Sequence, residues 1–296
     1  MKNNKTIYLI IALFIVSVHA ISSKIILPEA PIEGAVWKQT FADEFDGTVI
    51  DPNNWNIRHE NRTPRKNNFW HRDCAQLDGN GYLRMITRKS TDKPDWHDTA
   101  CIETKTKFTP LFGYFEIRAE MHTQPGFWTA FWAMPYPPSR MGSTEHAGMD
   151  GTEIDIYEKN TLDDKVQHAL HWDGYGKQHK SKDHRSTVPG VMDGFHTFGL
   201  LWTPDEYVFY VDSKKVWRTS AGGVSQVPIY LKISSEIGTW GGDIKKAKLP
   251  DQFRVDYVRA WQLYDKDGRL AFTQKPLDSL EEKLDSQQRQ DQQDKE

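Results

Sequence analysis

The chain of 296 residues is long enough for one large β domain or two smaller ones, and its formal net charge is only −3. This charge balance excludes a strongly basic nucleic-acid-binding surface, and the sequence carries no dinucleotide or phosphate-loop pattern. Aromatic residues are abundant, with 11 Trp, 11 Tyr and 14 Phe, whereas helical periodicity is scarce. This combination is typical of a β-sandwich with an aromatic-lined cleft.

The first twenty residues predict a secretory signal. Lys2 and Lys5 precede an apolar run over residues 7–18, and small residues near Ala20 offer a cleavage point. The run is too short to favour a membrane-spanning helix, although an uncleaved anchor is an alternative. No cysteine follows the cut, which argues against a lipid-modified N-terminus. We therefore expect a secreted or periplasmic protein with no membrane association after signal removal.

A short leader, residues 21–36, is expected before the first strand of the sandwich at residues 37–45. Residues 58–72 then form a long basic loop, whose charged and imidazole side chains are Arg58, His59, Arg62, Arg65, Lys66, His71 and Arg72. Such a loop could bind an acidic or sulfated sugar. Most exposed runs of charge are simply solvated, and both interpretations stay open.

The sequence contains two cysteines, Cys74 and Cys101. In the oxidising compartment that the signal implies, we expect them to form one disulfide between the loop around residue 74 and a strand near residue 101. The alternative is a pair of free, buried thiols. Two cysteines alone cannot form a structural zinc site.

The clearest alternation in the chain covers residues 113–121. Phe115, Ile117, Ala119 and Met121 share one face of the predicted strand, so this strand should be half-buried in a sandwich. The next aromatic segment, residues 126–132, carries Trp128 and Trp132 four positions apart, which places both on one face of a regular strand. They could pack on sugar rings or fill the core. The Pro- and Gly-containing residues 133–152 are predicted to form a loop at the rim of the cleft.

Three carboxylates are concentrated in the strand-like segment Gly151–Glu158. Alternation places Glu153 and Asp155 on one face and Ile154 and Ile156 on the other, but it would place Glu158 on the apolar face. A lone carboxylate there would be costly. One extra residue, a β-bulge near Tyr157, returns Glu158 to the acidic face. The segment therefore predicts three acids in a row.

Crowded carboxylates repel one another, so at least one of the three should have a raised pKa and hold a proton near neutral pH. A protonated acid beside an ionised one is the arrangement that glycoside hydrolysis requires. The segment could instead be an acidic, solvent-facing strand or a set of cation ligands.

Several later segments continue the β pattern. His168 and His171 lie on opposite faces of a strand at residues 166–172, and residues 195–218 predict buried, paired strands around a turn at Asp212 and Ser213. In residues 229–237, the side chains of Lys232, Ser234 and Glu236 share one face. The last twenty residues have a thin leucine stripe in a polar background, which predicts a frayed helix or a disordered tail.

The motif Glu153-Ile-Asp-Ile-Tyr-Glu158 resembles the Glu-x-Asp-x-x-Glu signature of glycoside hydrolase family 16, in the bulged form of laminarinase-, agarase- and carrageenase-like members. Other segments resemble the family in the same order along the chain: residues 41–47, 112–118, 126–132, 171–172, 195–212 and 255–259. The resemblance covers about residues 37–264. It implies an all-β, concanavalin A-like jelly-roll sandwich of two antiparallel sheets, with a catalytic domain at residues 37–265 and a polar tail at residues 266–296.

By this resemblance Glu153 is the nucleophile, Glu158 is the acid/base, and Asp155 orients Glu153 between them. The resemblance also places Trp128, Trp132, His171, Glu236 and Trp240 at the substrate cleft, while His168 is expected to be structural. For Glu236, a surface ion pair is the alternative. In many relatives a structural Ca²⁺ lies on the convex side, and the matching positions here are Glu44, Gly81 and Asp256. No cofactor is expected for catalysis.

The resemblance implies a retaining endo-β-glycan hydrolase that acts on a polysaccharide or oligosaccharide as a monomer. The segment Asn67–Arg72 departs from the run that is common in glucanase members, which puts ordinary glucan specificity in doubt. We expect a β-1,3- or mixed β-1,3/1,4-glucan as substrate, with a galactan, sulfated or not, as the alternative. Transglycosylation is a variant of the same chemistry, and a carbohydrate-binding lectin is the alternative from another class.

Overall fold

The computed structural model describes residues 25–61 and 67–276. The predicted signal, three basic residues of the long loop (Arg62, Arg65 and Lys66) and the leucine stripe of the tail lie outside the described residues. Within the described ranges, no helix is long and apolar enough to cross a membrane.

The described residues form two sheets. The strands β1 to β18 are, in chain order, Val36–Asp43, Asn56–Ile57, Glu60–Asn61, Asn68–Trp70, Ala75–Leu77, Leu83–Lys89, His97–Thr99, Cys101–Glu103, Gly113–Glu120, Phe127–Pro135, Glu153–Lys159, Lys165–Trp172, Lys180–Thr187, Phe195–Trp202, Tyr207–Val211, Lys214–Thr219, Ile229–Ile237 and Asp251–Tyr264. Short 3₁₀ helices cover Arg72–Cys74, Pro138–Gly142, Ala147–Asp150, Thr239–Gly241 and Ile244–Lys246.

The larger sheet has the order β16-β15-β14-β9-β18-β6-β7-β4-β3, with β1 paired to β18 and β5 paired to β6. The smaller sheet has the order β13-β12-β11-β10-β17-β8-β2. The strand pairs are antiparallel, apart from the parallel pair of β4 and β7. The motif strand β11 therefore lies inside the smaller sheet, between β10 and β12, where both of its edges are hydrogen-bonded.

One apolar core fills the space between the sheets. Strand β9 of the larger sheet contributes Phe115 and Ile117, and β10 and β17 of the smaller sheet contribute Phe131 and Ile233, all with no exposed surface. This confirms the predicted inward face of residues 113–121. Two-sided burial of this kind is what a sandwich of alternating strands produces.

The outer face of β9 is less exposed than a half-buried strand predicts. Tyr114 is 1% exposed and belongs to a second apolar cluster with Leu201, Val208 and Trp261. Ile25 and Leu27, from the predicted leader, pack against this cluster. The described part of the leader, which begins at Ile25, therefore covers part of the larger sheet.

The structure also describes the predicted turn after β15 and part of the predicted polar tail. The turn at Asp212 and Ser213 is confirmed, since both residues have positive φ between β15 and β16. At the other end, part of the predicted polar tail docks on the fold: Phe272 packs against the main core, and the Lys275 amide donates a hydrogen bond to Gln226.

Candidate active site

The predicted bulge lies in the middle of β11. Asp155 is opposite Ala169 of β12, but Glu158 is opposite Gln167, so three residues of β11 span two of β12. The same shift occurs against β10. The bulge turns Tyr157 into the core, where its ring lies 4.3 Å from that of Phe198. It returns Glu158 to the face of Glu153 and Asp155, as the sequence predicts.

Strand register extends the row of acids across the sheet. Residues directly opposite one another in antiparallel strands project from the same face. Glu153 is opposite His171, and Asp155 is opposite Trp132, which is in turn opposite Lys232. The three acids are thus flanked by imidazole, indole and ammonium groups from the neighbouring strands. We refer to this face of the smaller sheet as the cleft face.

Glu158 is almost fully enclosed, with 4% of its surface exposed. The indole Nε1 of Trp128 donates a hydrogen bond of 2.7 Å to Oε1, and Nε2 of Gln167 donates one of 3.1 Å to Oε2. Burial, and then the charge of Asp155, raises the pKa of Glu158 well above its ordinary value, while the Trp128 hydrogen bond opposes the rise. Glu158 is therefore suited to hold a proton at neutral pH.

Glu153 is 9% exposed, and the hydroxyl of Tyr175 donates a hydrogen bond to its Oε2. Burial and the neighbouring charge of Asp155 raise the pKa of Glu153 to about 8, whereas the Tyr175 hydrogen bond and the charges of His171 and Lys232 lower it. These opposing contributions act on the same carboxyl group. Its ionisation is consequently sensitive to the loss of any one of them.

His171 supplies a positive charge to the row. Its Nε2 lies 3.4 Å from Oδ2 of Asp155, and its Nδ1 lies 2.9 Å from Nε2 of His179. Burial disfavours the imidazolium, but the interaction with Asp155 outweighs it and raises the pKa of His171 to about 9. Burial also raises the pKa of Asp155, and His171 opposes that rise. The two side chains form a charge pair beside Glu153.

The predicted sugar-contacting residues lie on the cleft face. The Trp128 ring meets the Trp240 ring edge-on at 4.8 Å, and Glu236 is opposite Trp128 in the strand register. Trp132 donates from its indole to Ser234, at 2.9 Å. The ammonium of Lys232 lies 4.4 Å from the centre of the Trp132 ring. Aromatic side chains therefore lie on the same face as the acids.

Comparison with known proteins identifies the family and the fold. The model of Glycosyl hydrolases family 16 matches residues 64–259. The chain belongs to this family. The laminarinase catalytic domain from Thermotoga maritima has a TM-score of 0.63 and 26% identity to this chain, over 76% of this chain and 98% of that one. The match confirms the predicted jelly-roll sandwich.

Two curated relatives of this family 16 protein differ in the substrates that their names state. The keratan-sulfate endo-1,4-beta-galactosidase of Sphingobacterium multivorum is 29% identical over 198 residues, which are 64% of this chain and 46% of that protein. The endo-1,3-1,4-beta-glycanase ExsH of Rhizobium meliloti is 28% identical over 271 residues, 81% of this chain and 54% of that protein. The chain spans about half the length of these curated relatives.

Several side chains at the family 16 site were not predicted from the sequence. Gln167 donates to Glu158, and Tyr175 donates to Glu153. Lys232 was placed on the correct strand face but was not assigned to the site; it is 7% exposed and forms an ion pair of 3.2 Å with Glu103. Strand alternation alone could have placed Gln167 and Lys232 at the site. For Tyr175, the only indication in the sequence is the glycine on either side of it, which indicates a loop.

The predicted disulfide is wrong in this structure, because Cys74 and Cys101 are both buried and are not joined by a disulfide. Cys74 belongs to the apolar core between the sheets. Cys101 is opposite Ser234, whose hydroxyl accepts the Trp132 indole hydrogen bond on the cleft face, while the adjacent Ile102 points into the core. The two thiols therefore lie on opposite sides of the smaller sheet. Burial raises the pKa of Cys74 to about 12 and keeps it in the unreactive thiol form.

The carboxylates predicted to hold calcium are engaged by arginines. Glu44 accepts two hydrogen bonds of 2.6 Å from Arg259, and Asp256 accepts one of 2.5 Å from Arg118. Gly81, the third predicted position, has a φ of +90° in its turn. Calcium prefers six or more oxygen ligands with net negative charge, and a carboxylate already neutralised by an arginine fits that requirement poorly. The calcium site stays a prediction.

Within the described ranges, one group of acidic, histidine or cysteine side chains brings its ligand atoms within 4.8 Å of one another: Glu153, Asp155 and His171. This geometry could hold a cation. An imidazolium at His171, 3.4 Å from Asp155, can also supply positive charge at this position.

A polar depression of about 390 Å³ lies beside β2 and β8, at the end of the smaller sheet. Arg58 in its wall donates to Glu103 at 2.8 Å and to Glu60 at 2.6 Å, and Lys105 and His59 also line the depression. Arg58 and His59 are the part of the predicted basic loop that reaches this depression. The basic loop therefore borders the sheet that carries the acids at Arg58 and His59, although its strands β3 and β4 belong to the larger sheet.

Proposed function

We propose that the protein is a retaining endo-β-glycan hydrolase in which Glu153 is the nucleophile and Glu158 is the acid/base. The observation that carries the proposal is the β11 bulge, which places a proton-holding Glu158 on the same face as Glu153 and Asp155. In the first step, Glu153 attacks the anomeric carbon, the glycosidic C–O bond breaks, and the proton of Glu158 passes to the leaving oxygen.

In the second step, the ionised Glu158 accepts a proton from water. The resulting hydroxyl oxygen attacks the anomeric carbon and releases Glu153 as a carboxylate. Two inversions at this carbon give net retention. Asp155, held by His171, remains beside Glu153 throughout and balances the charges of the row.

Internal cleavage is supported by the extent of the cleft face. The acids lie on β11, the third strand from one edge of the smaller sheet, and four further strands lie on the other side. Neighbouring strands are about 4.8 Å apart, so the sheet on that side can carry several sugar rings. Strands on both sides of β11 allow sugar rings to bind on both sides of the acids, as cleavage within a chain requires.

We propose a β-glucan with β-1,3 or mixed β-1,3/1,4 linkages as the substrate. Support comes from the names of relatives such as ExsH and the beta-glucanase of Rhodothermus marinus, which is 26% identical over 247 residues. Transfer to a sugar acceptor instead of water follows the same chemistry and would appear as longer products at high substrate concentration.

A second substrate class, an anionic galactan, is favoured by one observation. The depression at the β2 edge presents Arg58 and Lys105, which can contact a sulfate or carboxylate on a sugar bound far from the cleavage point. Relatives named for keratan sulfate and for porphyran match the chain at 29% and 23% identity. Glu60 and Glu103 partly neutralise this depression, which is why the glucan is placed first.

The test is a panel of laminarin, mixed-linkage glucan, agarose, porphyran, carrageenan and keratan sulfate, with assays for reducing ends and for viscosity. A retaining endo-glycanase should lower viscosity early and release products whose first anomer, by NMR, is β. Glu153→Gln should lower activity by roughly a thousandfold or more. Glu206→Gln, which alters a surface ion pair of the larger sheet, should not.

Activity on sulfated galactans alone would replace the glucan proposal. A first anomer of α configuration would contradict the retaining mechanism. Binding of glycans without cleavage of any of them would favour a lectin.

We also propose export by the segment that precedes the described residues and a monomeric enzyme. N-terminal sequencing of the exported protein and light scattering of the purified protein test these two points. A retained N-terminal segment in the cell membrane would contradict the first, and a larger mass in solution would contradict the second.

A further inference from the structure

The loop between β12 and β13 brings an exposed tyrosine to the proposed nucleophile. Tyr175 is 63% exposed, yet its hydroxyl donates to Oε2 of Glu153, a side chain that is only 9% exposed. The contact spans 22 residues of sequence. An exposed ring with a hydroxyl directed at a buried carboxylate is an unusual placement, because water is the alternative partner for the hydroxyl.

The loop comprises residues 173–179, and an ion pair holds its base. Trp172 and Lys180 are opposite each other where the two strands separate. The ammonium of Lys180 lies 2.9 Å from the carboxylate of Asp173, which is 4% exposed. A buried carboxylate of this kind needs a partner, and the ion pair fixes the point at which the loop leaves the sheet.

The far side of the loop is held against the row of acids. The His179 ring stacks on His171 with ring centres 5.1 Å apart, and the His179 amide donates to the Gly176 carbonyl at 3.2 Å. Gly174 has a φ of +75°, a conformation in which other residues are strained. These contacts fix both sides of the segment that carries Tyr175.

We propose that Tyr175 is a positioning residue for Glu153: its hydroxyl fixes Oε2, so that Oε1 is left to attack the anomeric carbon and the ionised form of the carboxyl is stabilised. This inference rests on the nucleophile role proposed for Glu153. A hydrogen bond donated to a carboxylate favours the charged form. A carboxylate fixed in one orientation also needs less reorganisation as the bond to carbon forms.

Tyr175 acts among other charges that face Glu153. The motif strand β11, its neighbour β12 and strand β17, which lies beyond β10, contribute these ionisable groups: Asp155, Glu158, His171, Lys232 and Tyr230. Asp155 raises the pKa of Glu153, and His171 and Lys232 lower it. All of these remain in a Tyr175→Phe variant, which removes one hydroxyl and keeps the ring. The substitution therefore isolates the contribution of the hydrogen bond.

The direct test is a ¹³C NMR titration of the glutamate carboxyl carbons, with the Glu153 signal assigned by its disappearance in Glu153→Gln. Tyr175→Phe should raise the Glu153 pKa by about one unit, the usual size for a lost hydrogen bond to a charged group. Tyr264→Phe, a substitution at the end of β18 in the larger sheet, should leave the Glu153 pKa unchanged. An unchanged Glu153 pKa in Tyr175→Phe would overturn the inference.

Kinetics on a cleaved glycan provide the second measurement. A positioning role predicts that kcat and kcat/KM fall together by roughly tenfold and that the acid limb of the pH profile moves upward. A change in KM alone would assign Tyr175 to sugar binding and overturn the inference. If the Glu153 pKa rises but no glycan is cleaved by the wild-type protein, the hydrogen bond stands and the proposed function fails.

A second variant covers the case in which Tyr175→Phe does not fold. His179→Ala removes the ring that holds the loop against His171 and keeps Tyr175 itself. It should shift the Glu153 pKa in the same direction, since a looser loop weakens the hydrogen bond. No shift in a folded His179→Ala protein, together with an unfolded Tyr175→Phe protein, would also overturn the inference.

Discussion

The indole of Trp128 donates a hydrogen bond of 2.7 Å to Glu158, and the same ring meets Trp240 edge-on. Trp128 is therefore both part of the aromatic lining of the cleft and a partner of the proposed acid/base. A sugar that contacts this ring would contact the side chain whose hydrogen bond opposes the raised pKa of Glu158. We therefore expect sugar binding and proton transfer to be connected through Trp128.

Trp128→Phe should slow the second chemical step more than the first. This hydrogen bond stabilises the ionised Glu158, so its removal raises the Glu158 pKa further and reduces the fraction of Glu158 that is ionised when the second step needs a base. We expect kcat to fall roughly tenfold and the alkaline limb of the pH profile to move upward. Trp217→Phe, in the larger sheet, is the control. A downward shift of the alkaline limb would contradict the assignment.

His171→Gln should reduce stability in a pH-dependent way. The folded-state pKa of about 9 lies above the unfolded value of about 6.5, so the imidazolium contributes stability that is complete below about pH 6.5 and lost as pH rises through 9. We expect a loss of about 1–3 kcal/mol in the free energy of unfolding at about pH 6, and almost none at about pH 10. Urea unfolding of the wild-type protein and the variant at each pH measures these two differences.

The matched control for this prediction is His184→Gln. His184 stacks on Trp217 of the larger sheet and is not part of the row of acids. An equal loss of stability for His171→Gln at both pH values would show that His171 contributes by packing and not by charge.

Glu153→Gln should stabilise the protein at alkaline pH while it removes activity. Glu153 has a raised folded-state pKa of about 8, so the folded protein binds a proton that the unfolded chain has released, and stability falls between about pH 4 and pH 8. Glutamine does not titrate. We expect equal melting temperatures at about pH 5 and a gain of about 2–4 °C for the variant at about pH 8.5. If the variant melts at a lower temperature than the wild-type protein at the higher pH, the raised folded-state pKa of Glu153 is contradicted.

The two buried thiols allow a prediction about redox conditions. Cys74 and Cys101 are buried on opposite sides of the smaller sheet, so neither should react with a thiol reagent in the native protein, and both should react after unfolding without reductant. Reductant should leave the melting temperature unchanged. If the protein unfolded without reductant shows no reactive thiol, the two cysteines are joined by the disulfide that the sequence predicts.

Strand alternation was sufficient to predict much of the site. The penalty for burying Glu158 alone required a bulge at Tyr157, and the structure has one there. Alternation also placed Trp128 and Trp132 together, and Lys232 on the same strand face as Glu236. These features are local in sequence, with a period of two residues. A single chain carries that information directly.

The unpredicted contacts depend on register between distant segments. The position of His171 opposite Glu153 is fixed only when β11 and β12 pair, and the Tyr175 hydroxyl reaches Glu153 only because of the path of the loop after β12. Cysteine pairing failed for the same reason. The strand that carries Cys101 turns it toward Ser234, a residue more than a hundred positions away, and not toward the core that holds Cys74.

The proposed mechanism requires that Glu153 form a covalent bond to the sugar. The most direct measurement is mass spectrometry of the protein after reaction with a 2-deoxy-2-fluoro glycoside of the cleaved sugar that carries a good leaving group. We expect one added glycosyl unit, located by peptide mapping on Glu153. An adduct on another side chain, or no adduct together with products of inverted configuration, would contradict it.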